Sequence, residues 1–478
     1  MGSFKVCNNK HLYILFTAIV FLFYIITSLK IMFFSGRMCW EDEAHFWIIV
    51  QNLSITEIFE IMKYEGHMLL WFLIVMPFAK LNFTYPYPMQ ILNWIFCTLS
   101  LAIMWKKSPF NIVIKTAIVA SPVFLLYASH ARCYAIGVLF LFLACTFYKQ
   151  RLKHPYLYFF ILFLAANTSI QALFGASAIG IVFLYDLYRE SQLKKAAIVV
   201  TILTILTGII YYFQFSGSCV PDYEIISKHW RTIINPFVMF WGKTEILKIY
   251  SLSVWFFRIT LVMMFFAFVT RPKALIVYAF SMLCCSLFFL NIYLPREWHT
   301  SFFFIFLIIS YWIFLEENPS IKIKHYSIFV MYFILLYTIA AIHIIPPSGN
   351  SSILNTISES EELKQGKIYS DINPIHLSVA LPYLNNQNVY IYDMKGRKLN
   401  EFEALKATYN RNEKTFKYDE FIKSLDREKQ NYLITQTPLE NRKEFENFKF
   451  FLLKQNNSPK FNYYIYLINS HSQNKADL

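Results

Sequence analysis

Three consecutive acids, Glu41-Asp42-Glu43, stand just past the first long apolar stretch of the chain. Carboxylates are costly beside hydrocarbon, and those kept there are commonly functional. At such a place a carboxylate can act as general base toward a hydroxyl, or hold a divalent cation against a phosphate. By position alone, a solvated loop that merely ends a helix explains the triplet equally well. Glu65-Gly66-His67 follows, just before the next apolar segment. The glycine lets the backbone bend there, leaving Glu65 and His67 beside one interface, where the histidine could bind phosphate or shuttle a proton. The plain alternative is that the two residues cap a short helix.

Two later clusters carry cations of the kind that bind phosphate. Ser129-His130-Ala131-Arg132-Cys133-Tyr134 and Leu294-Pro295-Arg296-Glu297-Trp298-His299 each lie between apolar segments. The planar fork of an arginine binds two phosphate oxygens at once, and Arg296 with His299 could grip a pyrophosphate or a departing phosphate. Alternatively, Arg132 reaches toward lipid headgroups and Trp298 belongs to an interfacial aromatic belt.

The elements that must position these residues are read from composition and periodicity. Of the 478 residues, 56% are hydrophobic and only 15% charged, against about 25% charged in a soluble domain. The composition points to an integral membrane protein. Residues 12–34 are long enough to span the hydrocarbon as an uncleaved first helix. Further apolar segments fall near 68–81, 89–105, 112–128, 133–148, 156–168, 170–188, 196–215, 253–270, 274–291, 301–315 and 325–345. The segment 68–81 is short and reads as tilted or incomplete. Basic clusters at Lys106-Lys107, Lys149 to Lys153, Arg189 to Lys195, Arg271 to Lys273 and Lys322 to Lys324 punctuate the segments, so the hairpin tips between them face outward.

The net charge of +14 follows the same division. From residue 348 onward 18 Lys and Arg face 16 Asp and Glu, whereas 26 face 14 before it. The excess fits the positive-inside rule rather than nucleic-acid binding. The eight cysteines have no metal-type spacing.

Between Trp40 and His67, apolar residues at helical spacing (Phe46, Ile49, Val50, Leu53; Ile55, Ile58, Phe59, Met62) predict two short interfacial helices on the outer leaflet, the second capped by Ser54 and Glu57. After Pro346-Pro347 the pattern alternates: strands at 367–371, 388–393, 431–435 and 462–468, helices at 374–384, 418–427 and 439–456. The expected fold is mainly α: a polytopic transmembrane bundle of about 11–13 spans, interfacial helices in the first outer loop and a small C-terminal α/β domain. The division is 1–347, with the loop at 35–67, and 348–478.

An acidic pair closing the first helix, interfacial helices, a Glu-Gly-His turn and a later Arg-x-Tyr together resemble the polytopic GT-C glycosyltransferases. The similarity is to the protein O-mannosyltransferase and aminoarabinose-transferase branch, over roughly residues 10–345. Where that family often has Gly-His-Pro-Pro, this chain has Gly66-His67-Met68-Leu69. The resemblance implies a membrane glycosyltransferase that moves a sugar from a polyprenyl-phosphate donor to an acceptor on the outer, periplasmic face. Asp42 or Glu43, beside Glu41, would be the catalytic base. Arg132, Tyr134, Arg296 and His299 would bind the donor phosphate, and Glu65 and His67 would serve the acceptor or an auxiliary role. A divalent cation at Asp42 and Glu43 is left open, since branches of the family differ. The acceptor is a glycan, lipid or protein, and nucleic acid is not a partner. A multi-pass protein of a bacterial inner membrane is expected, its C-terminal domain outside the cytoplasm. The competing readings are a flippase or transporter of lipid-linked saccharide, which would want mid-span charges and duplicated halves, and an envelope polysaccharide polymerase or ligase.

Overall fold

Among the described residues, five helices are long and apolar enough to cross a membrane: His11–Phe34, Tyr87–Lys107, Ile170–Arg189, Pro272–Phe289 and Glu297–Glu317. The pair Ile112–Val119 and Pro122–Ser129, bent by 41°, would make a sixth. The computed structural model describes residues 10–35, 37–65, 68–215, 266, 268–291, 295–317, 348–409, 418–439, 448–457 and 462–470. The segment 325–345, most of 253–270, the loop 216–250 and the Gly66-His67 turn lie outside them. Among the described residues several apolar segments form helices short of a span. Leu69–Lys80 has 12 residues with Pro77 inside, Tyr134–Phe147 has 14 and Pro155–Ala166 has 12, whereas a crossing takes about 20. The bend at residue 120 has a local cause. Pro122 offers no N–H to continue the preceding helix, and Ser121 caps the new one by accepting from the Val123 N–H at 3.3 Å.

By contacts the chain forms two compact units. A helical unit comprises Met1–Ser35, Gly66–Trp71 and Gln90–Pro346; a mixed unit comprises Gly36–Glu65, Phe72–Met89 and Pro347–Leu478. The first-loop helices therefore belong with the C-terminal domain rather than with the residues 1–347 that precede it.

In the helical unit, polar residues collect at the two ends of the helices. At the C-terminal end of Tyr134–Phe147, Arg151 holds Asp186 through Nε (2.9 Å) and Nη2 (2.6 Å). Lys273 bridges Asp186 (2.8 Å) and Glu317 (3.3 Å), and Glu317 also accepts from the Tyr148 hydroxyl at 2.8 Å. Two of the basic clusters thus meet the ends of Ile170–Arg189 and Glu297–Glu317 at one end of this unit. At the other end lie the tips His130–Arg132, Asn167–Ser169 and Pro295–His299. Thr168 sits so close to Gly137 that a Cβ there would come within 2.7 Å of its hydroxyl, and the Tyr127 hydroxyl donates to the Trp298 carbonyl at 3.0 Å.

The mixed unit holds a five-stranded sheet of order β2-β1-β3-β5-β4. The strands are β1 (Lys367–Ser370), β2 (Ile391–Tyr392), β3 (Asn431–Thr435), β4 (Phe448–Asn457) and β5 (Asn462–Ser470). The first three are parallel, and β5 and β4 add an antiparallel hairpin. Tyr369, Leu433, Phe448, Tyr466 and Ile468 pack with Phe421 of the helix Tyr418–Ser424. The four expected strands form. Of the expected helix 439–456, residues 440–447 lie outside the described residues, and from Phe448 the chain is strand β4 instead. Alternation places Phe448 and Phe450 on the core side, and pairing with β5 overrides the local helical pattern.

The Asp186 network generates a prediction. Asp186→Asn leaves Arg151 and Lys273 without their shared buried counter-charge. It should lower the stability of the purified protein by about 3 kcal/mol, read as a drop in melting temperature. An unchanged melting temperature would show that the network contributes nothing.

Candidate functional site

The acidic triplet forms the first turn of the helix Glu41–Asn52, where negative charge suits the helix dipole. Its three carboxylates have three different surroundings. Glu43 is fully buried, and its Oε2 accepts from Arg37 Nη2 at 2.5 Å and from the Trp40 N–H at 2.6 Å. It therefore starts the helix and neutralises Arg37, a role that withdraws it from an acceptor hydroxyl. Glu41 turns toward the helix Pro374–Leu377, with its carboxylate 3.3 Å from His376 Nδ1, while its backbone carbonyl accepts from Ser378 Oγ at 2.9 Å. Asp42 lies between them, partly exposed. From Glu43 to Val50 every residue is buried, so this helix is enclosed in its unit rather than lying on a leaflet. The following helix, Ile55–Glu65, keeps Ile55 and Phe59 exposed, and Ser54 and Glu57 form the expected capping box.

Glu65 has an inward role that sequence spacing does not reveal. Its Oε1 accepts from the Tyr409 hydroxyl and lies 3.1 Å from His45 Nε2, which is itself 2.7 Å from the same hydroxyl. Tyr409 ends the helix Phe402–Tyr409 and stacks on Tyr64 with ring centroids 5.3 Å apart. Lys406 of that helix reaches Glu60 at 3.3 Å, and Asn400 Nδ2 donates to Asn52 at 3.2 Å. Within the mixed unit the C-terminal residues thus hold both first-loop helices. Gly349 is required there, because a Cβ would fall 2.4 Å from the Cys39 carbonyl oxygen. His67, the remaining acceptor-side candidate, lies outside the described residues.

In the helical unit the bend between Pro122–Ser129 and Tyr134–Phe147 buries His130 and Arg132. Asn93 fixes this bend by donating from Nδ2 to the carbonyls of Tyr127 (2.6 Å), Ala128 (3.2 Å) and His130 (3.0 Å). Tyr134 then opens the next helix with its hydroxyl 2.8 Å from His299 Nε2. His130 packs on Trp298 with ring centroids 4.6 Å apart. The side chain of Arg296 is exposed, and its backbone N–H donates to His299 Nδ1 at 2.9 Å, which orients the ring. Tyr134, His299 and Trp298 are brought together with Tyr127 and Asn93, which the sequence did not single out. A polar Asn93 inside the apolar helix Tyr87–Lys107 was the one sequence signal that pointed to them.

The protons around His299 do not balance. Nδ1 faces the Arg296 amide N–H, and Nε2 faces the Trp298 indole N–H at 3.1 Å. Both are obligatory donors, whereas a neutral imidazole has one bare nitrogen. With Nδ1 accepting, the ring proton sits on Nε2 and is given to the Tyr134 oxygen, and the indole N–H lacks a lone pair. Two obligatory N–H donors thus converge on one imidazole, in a buried setting beside the Arg132 segment. That chemistry suits an anion.

A divalent cation does not fit at Asp42 and Glu43. Glu43 Oε2 already serves a guanidinium and an amide, and among the described residues no three His, Cys, Asp or Glu side chains gather as ligands.

Two predictions follow from the mixed unit. Glu43→Gln, by uncoupling a buried pair, should cost about 3 kcal/mol of stability, read as a drop in melting temperature; an unchanged melting temperature would contradict its structural role. The hydrogen bond to the Glu41 carboxylate raises the pKa of His376 above its ordinary 6.5, against partial burial. A raised folded-state pKa stabilises fully below pH 6.5 and is lost as pH rises through the raised value. Hydrogen exchange at the start of Glu41–Asn52 should accelerate across that window, and His376→Gln should flatten the change. Compared with known proteins, the chain matches no family model and no curated sequence.

Proposed function

We propose that the chain is a membrane glycosyltransferase that moves a sugar from a polyprenyl-phosphate donor to an acceptor hydroxyl on the outer face of a bacterial inner membrane. In this reading it is a multi-pass protein with its C-terminal domain outside the cytoplasm. The observation that carries it is the buried cluster at His299, where the Arg296 amide and the Trp298 indole N–H converge on one imidazole beside the Tyr134 phenol. A phosphate oxygen is an acceptor that such donors suit. The cluster's place supports a lipid-linked phosphate, since it sits at one end of apolar helices among which a polyprenyl tail is soluble.

The chemistry is a single displacement. A carboxylate base takes the proton of the acceptor hydroxyl, the oxygen attacks the anomeric carbon, and the bond to the lipid phosphate breaks with its electron pair on the phosphate oxygen. Arg132, Trp298 Nε1–H and His299 Nε2–H stabilise that developing charge, with Arg296 and Tyr134 fixing the imidazole. One displacement inverts the anomeric centre. The GT-C resemblance puts the base at Asp42 or Glu43, and Glu43 is engaged with Arg37 and the helix start, so Asp42 is the residue tested.

The test is release of polyprenyl phosphate from a labelled lipid-linked sugar by the purified protein in lipid. Asp42→Asn should lower kcat by at least ~100-fold with donor KM little changed. Trp298→Phe should instead raise donor KM by roughly tenfold, as loss of one hydrogen bond to a charged group predicts. Full turnover by Asp42→Asn would sink the assignment.

A further inference from the structure

We propose that the edge strand β4 docks on an anionic lipid surface, independently of which reaction the protein performs. Strand β4 closes one side of the sheet, so nothing in the sheet pairs with its outer edge. Its middle is Phe451-Leu452-Leu453, and these side chains are 51%, 51% and 48% exposed. Phe448 and Phe450 use the core-facing positions, and Leu452 continues that face beyond the cover. Phe451, paired with Leu467, points to the opposite face. The register shift between Leu452 and Lys454 adds Leu453 as an extra residue at the edge. The result is an apolar ridge that no single face of this sheet can bury.

The charge around the ridge selects its occupant. Exposed Lys449 and Lys454 flank it, and neither β4 nor β5 contains an acid. Apolar and aromatic side chains framed by lysines suit the boundary of an anionic membrane, where the chains enter the acyl boundary and each lysine meets phosphate headgroups. The same chain carries helices long and apolar enough to cross a bilayer. A second copy fits less well. In the symmetric antiparallel pairing of two β4 strands centred between Phe451 and Leu452, Lys449 of each copy faces Lys454 of the other, and like charges directly opposite are destabilising. The extra residue at Leu453 also interrupts the ladder such pairing needs.

The full chain carrying Leu453→p-benzoylphenylalanine, in nanodiscs of phosphatidylcholine with or without phosphatidylglycerol, tests this on illumination. The expected product is a lipid adduct on the peptide containing residue 453, several-fold more abundant with the anionic lipid. Lys449→Glu together with Lys454→Glu should abolish that difference. Crosslinks to a second copy or to another segment of the chain, equal yields in both lipids, or no adduct would each overturn the proposal. The same probe at Phe451, in a protein of unchanged melting temperature, repeats the test should the first variant fold poorly.

Discussion

The mixed unit is organised around one buried carboxylate. Glu43 must turn inward, because Arg37 and the Trp40 N–H would otherwise lie buried without it. A helix advances about 100° per residue, so fixing Glu43 inside sends Asp42 and Glu41 to other faces of the same turn. Glu41 meets His376, and Asp42 is left between them with partial exposure. His45, one turn beyond Glu41, is carried to Glu65 and Tyr409. Three adjacent acids thereby acquire three roles without any difference in their chemistry.

The helical unit meets a related constraint differently. A bend in an apolar helix exposes backbone carbonyls that must be satisfied internally. Asn93 donates to those of Tyr127, Ala128 and His130, the last of which also accepts from the Arg132 N–H, and the bend it holds positions Tyr134. Tyr127 then draws the Trp298 segment in, and the Arg296 amide sets the ring of His299. The convergence of donors on His299 is the consequence of this packing. The opposite end, where Asp186 faces both Arg151 and Lys273, is balanced in charge and holds the helices without inviting an anion.

Much of this was legible in the sequence, and the missing parts have physical reasons. The parallel strands announced themselves because buried, β-branched and aromatic runs such as Asn431–Thr435 have few other uses. The start of β4 hid behind a helical pattern because its pairing partner lies across a turn, beyond any local window. The acidic helix was found, but its enclosure was not, since burial from Glu43 to Val50 depends on C-terminal residues some 300 positions away. For the same reason Tyr409 and His376 carried no local signal. The backbone amide of Arg296 orients the His299 ring, a role that residue type cannot convey.

The account stands most directly on whether the His299 cluster takes a phosphate. A cryo-EM structure of the protein in lipid nanodiscs with added polyprenyl phosphate would decide it. The account predicts phosphate density within hydrogen-bond reach of Trp298 Nε1, with the Arg132 guanidinium turned onto it. Well-ordered phosphate bound elsewhere, with the indole N–H still against His299, would contradict it.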